Sequence, residues 1–210
     1  MNVTFVNTFV YEFVTLFVIL DPVATLPVFL AATIGLTRRQ SLGVAAYAVG
    51  ISFLVLLFFI AGGQFLLEEL KIPMPAFQLA GSIVLLLFGL SLVLGRVTKE
   101  AAAMPAEASL LERAVYPLAI PGIAGAGAIL TVVLLTDNNT RTFSEQASTT
   151  GILVLCLACL FVLFAVASFL FRILGRSGIE IVSRVFGLIL CSIAVNGMIT
   201  AIKLSFHLAA

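Results

Sequence analysis

The 210-residue chain has no tryptophan, a single histidine and three cysteines, and only 11 basic and 10 acidic side chains. Each shortage excludes a class of protein. Charged residues make up 10% of the chain, against about 25% in a typical soluble domain. A soluble domain of this size could not cover its surface with so few. The net charge of +1, without a basic patch or zinc-ligand spacing, argues against a nucleic-acid binder. The lone His207 removes the H-E-x-x-H pattern of a metalloprotease, and no G-x-x-x-x-G-K-[ST] stretch is present to bind a nucleotide. A carboxylate dyad sharing a proton needs two deep acids. Only Asp21 lies deep in an apolar run, with Asp137 at the end of one. The chain therefore reads as a non-enzyme without a cofactor. Cys156 and Cys159 match C-x-x-C but sit in an apolar run, where a redox thiolate has no access; with Cys191 they read as small packing residues.

What is present is hydrophobic surface: 62% of residues are apolar and the mean hydropathy is +1.25. Six runs lack charge and histidine. They hold 25 residues between Glu12 and Arg38 (interrupted only by Asp21), 28 between Arg39 and Glu68, and 24 between Lys71 and Arg96. In the second half they hold 23 between Arg113 and Asp137, 26 between Glu145 and Arg172, and 18 between Arg184 and Lys203. About 20 apolar residues cross a bilayer as a helix, and lipid leaves no partner for open backbone groups. The runs are continuously apolar, unlike the alternating strands of a membrane barrel. The expected fold is an all-α membrane protein of six transmembrane helices, numbered here as spans one to six. The long first run, without a basic leader, reads as span one and not as a cleavable signal, and no lipidation motif is evident. Loops after spans one, three and five hold eight basic residues (Arg38, Arg39, Arg96, Lys99, Arg113, Arg172, Arg176, Arg184), and the other side holds three (Lys71, Arg141, Lys203). By the positive-inside rule the first group is cytoplasmic, with both termini on the non-cytoplasmic side of the membrane.

The polar stretch 96–114 divides the chain into a first three-helix repeat, 1–95, and a second, 115–210. The halves echo each other: Gln78-x-x-Gly81-x-Ile83 in span three, Arg184-x-x-Gly187-x-Ile189 in span six, and paired prolines in spans one and four. An odd number of crossings inverts the second copy, a plan common among secondary transporters. Two inverted three-helix repeats are therefore expected, with helices one and four broken near the midplane.

Asp21-Pro22-Val23-Ala24-Thr25-Leu26-Pro27 is the most informative stretch. A carboxylate at the centre of a span costs roughly 2.5–3.5 kcal/mol on insertion scales. Pro22 and Pro27 each delete a backbone donor, and Thr25 adds a hydroxyl. The stretch reads as a substrate or ion site where helix one unwinds. The plainer alternative is Asp21 capping a helix that starts at Pro22. The two roles are compatible. The counterpart in span four is Pro117 to Gly127, with Pro121, Gly122, Gly125 and Gly127 as site candidates. It reads as a second broken helix whose free N-terminal N–H groups suit a carboxylate, or as close packing of small residues. Asn196, with Ser192 and Thr200, forms a polar face on span six, for interhelical bonding or for lining a path. Gln78 and Ser82 form a similar pair in span three. Glu12, two and a half turns before Asp21, reads as a solvated charge at the span end. Arg184 reads as snorkelling to the interface. Asn138-Asn139-Thr140 fits a short glycosylation pattern.

These motifs resemble the MarC family of bacterial and archaeal inner-membrane proteins. Its D-P-x-G-N-x-P stands here as Asp21 to Pro27. Its P-L-A-I-P-x-x-x-G-P-G-A-I stands as Pro117 to Ile129, and its R-x-x-G-x-I/L-L as Arg184 to Leu190. Ala24 replaces the usual Gly, Thr25 the Asn and Ala126 the Pro. The resemblance covers the whole chain. It implies kinship with the wider LysE-like exporters and with small neutral amino acid transport coupled to an ion or proton gradient. The expected function is secondary transport of small neutral amino acids or related metabolites by alternating access. The alternative is a channel-like or non-transporting accessory protein. Expected partners are the small-molecule substrate, a coupling proton or sodium ion and the bilayer, and small-residue faces would also suit a homo-oligomer.

Overall fold

The computed structural model describes residues 2–105, 107–136 and 141–206. The Asn138–Thr140 pattern, Asp137 and His207 lie outside the described residues. The chain forms α1 (Asn2–Leu20), α2 (Pro22–Ala32), α3 (Arg38–Glu69), α4 (Met74–Val93), α5 (Arg96–Ala102), α6 (Leu110–Arg113), an irregular wide-turned segment (Ala114–Ile123), α7 (Ala126–Leu135) and α8 (Phe143–Phe206). No strand occurs among the described residues. α8 is two helices joined at Gly175, whose backbone (φ 64, ψ −178) is a conformation essentially reserved for glycine.

Four helices are long and apolar enough to cross a membrane: Arg38–Glu69, Met74–Val93, Phe143–Ala167 and Glu180–Phe206. Two further spans appear when bent pairs are counted as one each: Thr8–Leu20 with Thr25–Ala32, bent by 45°, and Leu110–Ile123 with Ala126–Leu135, bent by 55°. The described residues thus give four to six candidate spans against the six expected, and the two bent pairs fall on spans one and four. Within the chain only 22–39% of each unbroken span is buried. The remainder, carrying Leu54, Phe58, Leu87, Val162 and Leu188, is an apolar surface suited to lipid.

Helix starts follow local chemistry. Thr37 and Gln40 form a reciprocal capping box at α3, Ser109 and Glu112 another at α6. Thr142 and Glu145 do the same at α8, with Thr142 N donating to Glu145 Oε2 at 2.7 Å and Glu145 N to Thr142 Oγ1 at 3.4 Å. The linker 96–114 is thus partly helical.

Two packings organise the bundle. Span one lies along span five: Thr149 meets Glu12, the Cys156 thiol donates to the Phe13 carbonyl at 3.7 Å, and the rings of Phe29 and Phe164 stack 4.4 Å apart. Span three runs antiparallel to span six. Ser82 sits against Gly197, the Cys191 thiol reaches the Leu86 carbonyl at 3.9 Å, and Gly89 and Val93 sit against Gly187.

Candidate functional site

α1 ends where Asp21 enters the left-handed region, at φ 46, a conformation Asp tolerates better than most residues. Its N–H still reaches Val18 O at 3.2 Å, while its carbonyl accepts from Thr25 N at 3.1 Å. Asp21 therefore closes one helix and opens the next, with Pro22 at the first position of α2, where a missing donor costs nothing. Pro27 does not break the chain again: α2 runs through it to Ala32. The side chains of Asp21 (8% exposed) and Thr25 (1%) are buried, as are Pro22 and Pro27. The Thr25 hydroxyl donates back to the carbonyls of Asp21 (3.0 Å) and Pro22 (3.2 Å).

Span four breaks by a different route. Tyr116 (φ −123, ψ 132) and Ile120 (φ −131, ψ 122) are extended, as residues before proline tend to be. The bonds to Pro117 and Pro121 are cis. α7 then starts from Gly125, which has no side chain to cap it. The first N–H groups of α7 therefore have neither an intrahelical acceptor nor a side-chain cap. A Cβ on Gly125 would collide with the Pro121 carbonyl, so only glycine allows this turn.

The two breaks meet. A Cβ on Gly122 would lie 3.6 Å from Thr25 Cγ2 and 2.9 Å from the Pro117 carbonyl. One turn further on, a Cβ on Gly127 would lie 3.7 Å from Ile19 Cγ2 and 3.4 Å from Leu85. The start of α7 is thus wedged between the end of α1 and α4. Asp21, Pro22, Thr25 and Pro27 lie on the first broken span and Pro121, Gly122, Gly125 and Gly127 on the second, and the close approach of Thr25 to Gly122 joins the two. Thr25 turns its methyl to Gly122 and spends its proton on its own helix.

Asn196 lies elsewhere. It is exposed on the outer face of α8 with Ser192 and Thr200. Those two hydroxyls donate to their own helix, to Leu188 O at 3.0 Å and Asn196 O at 2.9 Å. No described contact joins this face to the two breaks. Gln78 is half-buried, Ser82 is buried and Arg184 is exposed.

Two polar groups have roles that differ from the reading by residue type. Glu12 is not solvated: it is 2% exposed, its Oε1 is 3.1 Å from Arg141 NH1, and its Oε2 accepts from Thr149 at 2.9 Å. Its spacing of four from Leu16 and Leu20, both buried, already put it on the inward face of α1. Arg113, counted above among loop charges, is 4% exposed. It donates to the carbonyls of Ala32 (2.8 Å), Pro105 (2.7 Å) and Ala108 (3.3 Å). Among the described residues no group of three or more His, Cys, Asp or Glu side chains could hold a metal.

An all-helical, multi-pass chain with two bent spans and an apolar outer surface is an integral membrane protein. Residues 6–206 match the model of the MarC family integral membrane protein, and the chain belongs to that family. It is 32% identical to a UPF0056 membrane protein of Aquifex aeolicus, over 93% of this chain and 92% of the relative. It is 33% identical to one of Pyrococcus abyssi (95% and 96%) and 30% to one of Bacillus subtilis (91% and 92%). No solved structure matches the chain.

Proposed function

We propose that the chain is a secondary transporter of small neutral amino acids or related small metabolites. It moves them by alternating access, coupled to a proton or sodium gradient. The observation that carries this reading is the meeting of two interrupted spans at Thr25 and Gly122. Non-helical backbone at membrane depth is stable where it is enclosed by protein or lines a cavity. Broken helices facing each other at the centre of a bundle are the usual substrate site of secondary transporters. In this reading the uncapped start of α7 holds a substrate carboxylate through its N–H groups and partial positive charge. Asp21 holds the ammonium or the coupling cation. The halves 1–95 and 115–210 act as inverted repeats joined by 96–114, and the antiparallel pairing of spans three and six supports that arrangement. The basic loops support a cytoplasmic position for this linker.

The test is uptake of labelled glycine and alanine into proteoliposomes under an imposed proton or sodium gradient. Wild type is expected to show saturable, gradient-dependent uptake. Asp21→Asn keeps the size of the side chain and removes its charge, and it is expected to lower uptake at least about tenfold, the loss of one charge-assisted bond. Uptake that survives in Asp21→Asn leaves Asp21 a helix cap alone. Absence of uptake across a broad metabolite panel, in vesicles shown to be tight, overturns the transport reading.

A further inference from the structure

The reading above leaves unused a cleft of roughly 410 Å³ between α1 and the start of α8. Thr8, Phe9 and Glu12 line one side, and Arg141, Ser144, Glu145, Ser148 and Ile152 the other. Glu12 lies nine residues before Asp21, about 13 Å along a helix. Between them the buried face of α1 carries Leu16 and Leu20, so the cleft and the two breaks are separated by packed apolar side chains. Glu12 is more deeply buried than Asp21, 2% against 8% exposed. Arg141, its ion-pair partner, keeps 26% of its side chain exposed. Glu145 adds a second carboxylate, whose Oε2 accepts from Thr142 N at 2.7 Å and Thr142 Oγ1 at 2.9 Å.

We propose that this cleft is a docking site for small zwitterions, which enter by taking over both halves of the Glu12–Arg141 ion pair. The ligand's carboxylate takes the Arg141 guanidinium, and its ammonium takes the Glu12 carboxylate. The proposal rests on the transport reading for the class of ligand. The argument is electrostatic. α1 belongs to the first half of the chain and Arg141 and Thr149 to the second, so the halves cannot part at this end without separating a charge pair whose carboxylate is buried. Removing one partner of such a pair leaves an uncompensated charge and is strongly unfavourable. A simple carboxylate satisfies Arg141 and strands Glu12, and a simple amine does the reverse. A molecule bearing both charges leaves neither unpaired. Glu145 further disfavours an anion that lacks an ammonium. The cleft has room for an amino acid with a small side chain, and the hydroxyls of Ser144 and Ser148 on its wall suit the remaining hydrogen-bonding capacity of its carboxylate and ammonium.

The absence of tryptophan gives a direct probe. Phe9, on the cleft wall and 37% exposed, becomes the sole tryptophan in Phe9→Trp. The purified full-length variant is titrated with glycine, alanine, acetate and methylammonium while tryptophan emission is followed, and the unlabelled wild type is titrated by calorimetry. The expected result is a saturable response to glycine and alanine. Apparent affinity is at least about tenfold weaker for either singly charged analogue, and equally weakened by Glu12→Gln or Arg141→Gln. Glu12→Gln retains an acceptor for Thr149, and Arg141→Lys, which keeps the charge, retains part of the response. The response persists in Asp21→Asn. Equal affinity for glycine, acetate and methylammonium overturns the proposal. So does a response that survives both neutral variants, loss of the response in Asp21→Asn, or silence in both emission and calorimetry. Uptake without docking here leaves transport standing and removes this site. Docking without uptake does the reverse.

Discussion

Arg113→Ala is expected to destabilise the folded chain by about 3–5 kcal/mol, from three main-chain carbonyls left without their donor. The side chain is 4% exposed, and its three nitrogens each donate to a different main-chain carbonyl, Ala32, Pro105 and Ala108. Ala32 is the last residue of α2, where carbonyls have no intrahelical donor and a cation meets the negative end of the helix. Pro105 and Ala108 belong to the connection between α5 and α6. One guanidinium therefore caps the broken first span and holds the connection against it. In the alanine variant three carbonyls lose their donor, each at about 1–3 kcal/mol where water cannot replace it. Arg113→Lys is expected to recover less than half of the loss, because an ammonium is a point charge without the planar fork that spans three acceptors. Unfolding in mixed micelles, followed by circular dichroism across wild type and both variants, measures this. An alanine variant within about 1 kcal/mol of wild type, or a lysine variant equal to wild type, would show that these bonds contribute little.

How much of this was legible in the sequence depends on the kind of signal. The spans were legible because runs of 18 to 28 residues without charge have few alternatives to a membrane helix. The break at Asp21 was legible in the Asp-Pro pair, since the residue before a proline is pushed out of the helical region. That Leu26, also before a proline, stays helical within α2 was not: one missing donor inside a packed helix is tolerable, and packing decides which proline breaks. The candidate residues on either side of the two breaks were found because Asp, Pro and Gly are costly or unusual in a span. Glu12 was misread, and the burial of Arg113 missed, because both stand near span ends, where charges are commonly solvated. Their real partners are remote in sequence, Thr149 and Arg141 for one and Ala32 for the other. Asn196 was singled out for its polarity, but the face of α8 turned inward is set by small residues. Gly187, Cys191 and Gly197 contact α4, and Ala194 and Ala201 are buried on the same stripe. Close approach needs small side chains, and Asn196 falls on the other side of that stripe.

That same stripe carries the second large effect, a difference in sign between glycines. A Cβ on Gly187 would lie 2.8 Å from Gly89 O and 3.0 Å from Val93 N, and one on Gly89 would lie 3.0 Å from Gly187 O and 3.1 Å from Cys191 N. Cys191 Sγ and Val93 Cγ2 also lie at 2.9 Å, but the backbone obstacles are not relieved by any side-chain rotation, so spans three and six must move apart. Gly187→Ala and Gly89→Ala are each expected to cost about 1–3 kcal/mol, as overpacking does, and Gly187→Leu more. Gly50 and Gly151 are exposed within helices, and a Cβ on either meets nothing within 4 Å. Alanine there is expected to be neutral or to stabilise by up to about 1 kcal/mol through helix propensity alone. The double variant Gly89→Ala/Gly187→Ala decides whether the two positions share one contact. Once the helices have separated for the first methyl, the second enters the same gap, so the double should cost clearly less than the two single costs added together. The measurement is unfolding in mixed micelles for all six variants. A Gly187→Ala protein as stable as Gly50→Ala would mean that spans three and six do not approach this closely. Strict additivity would mean that each methyl is accommodated separately, by local bending of its own helix.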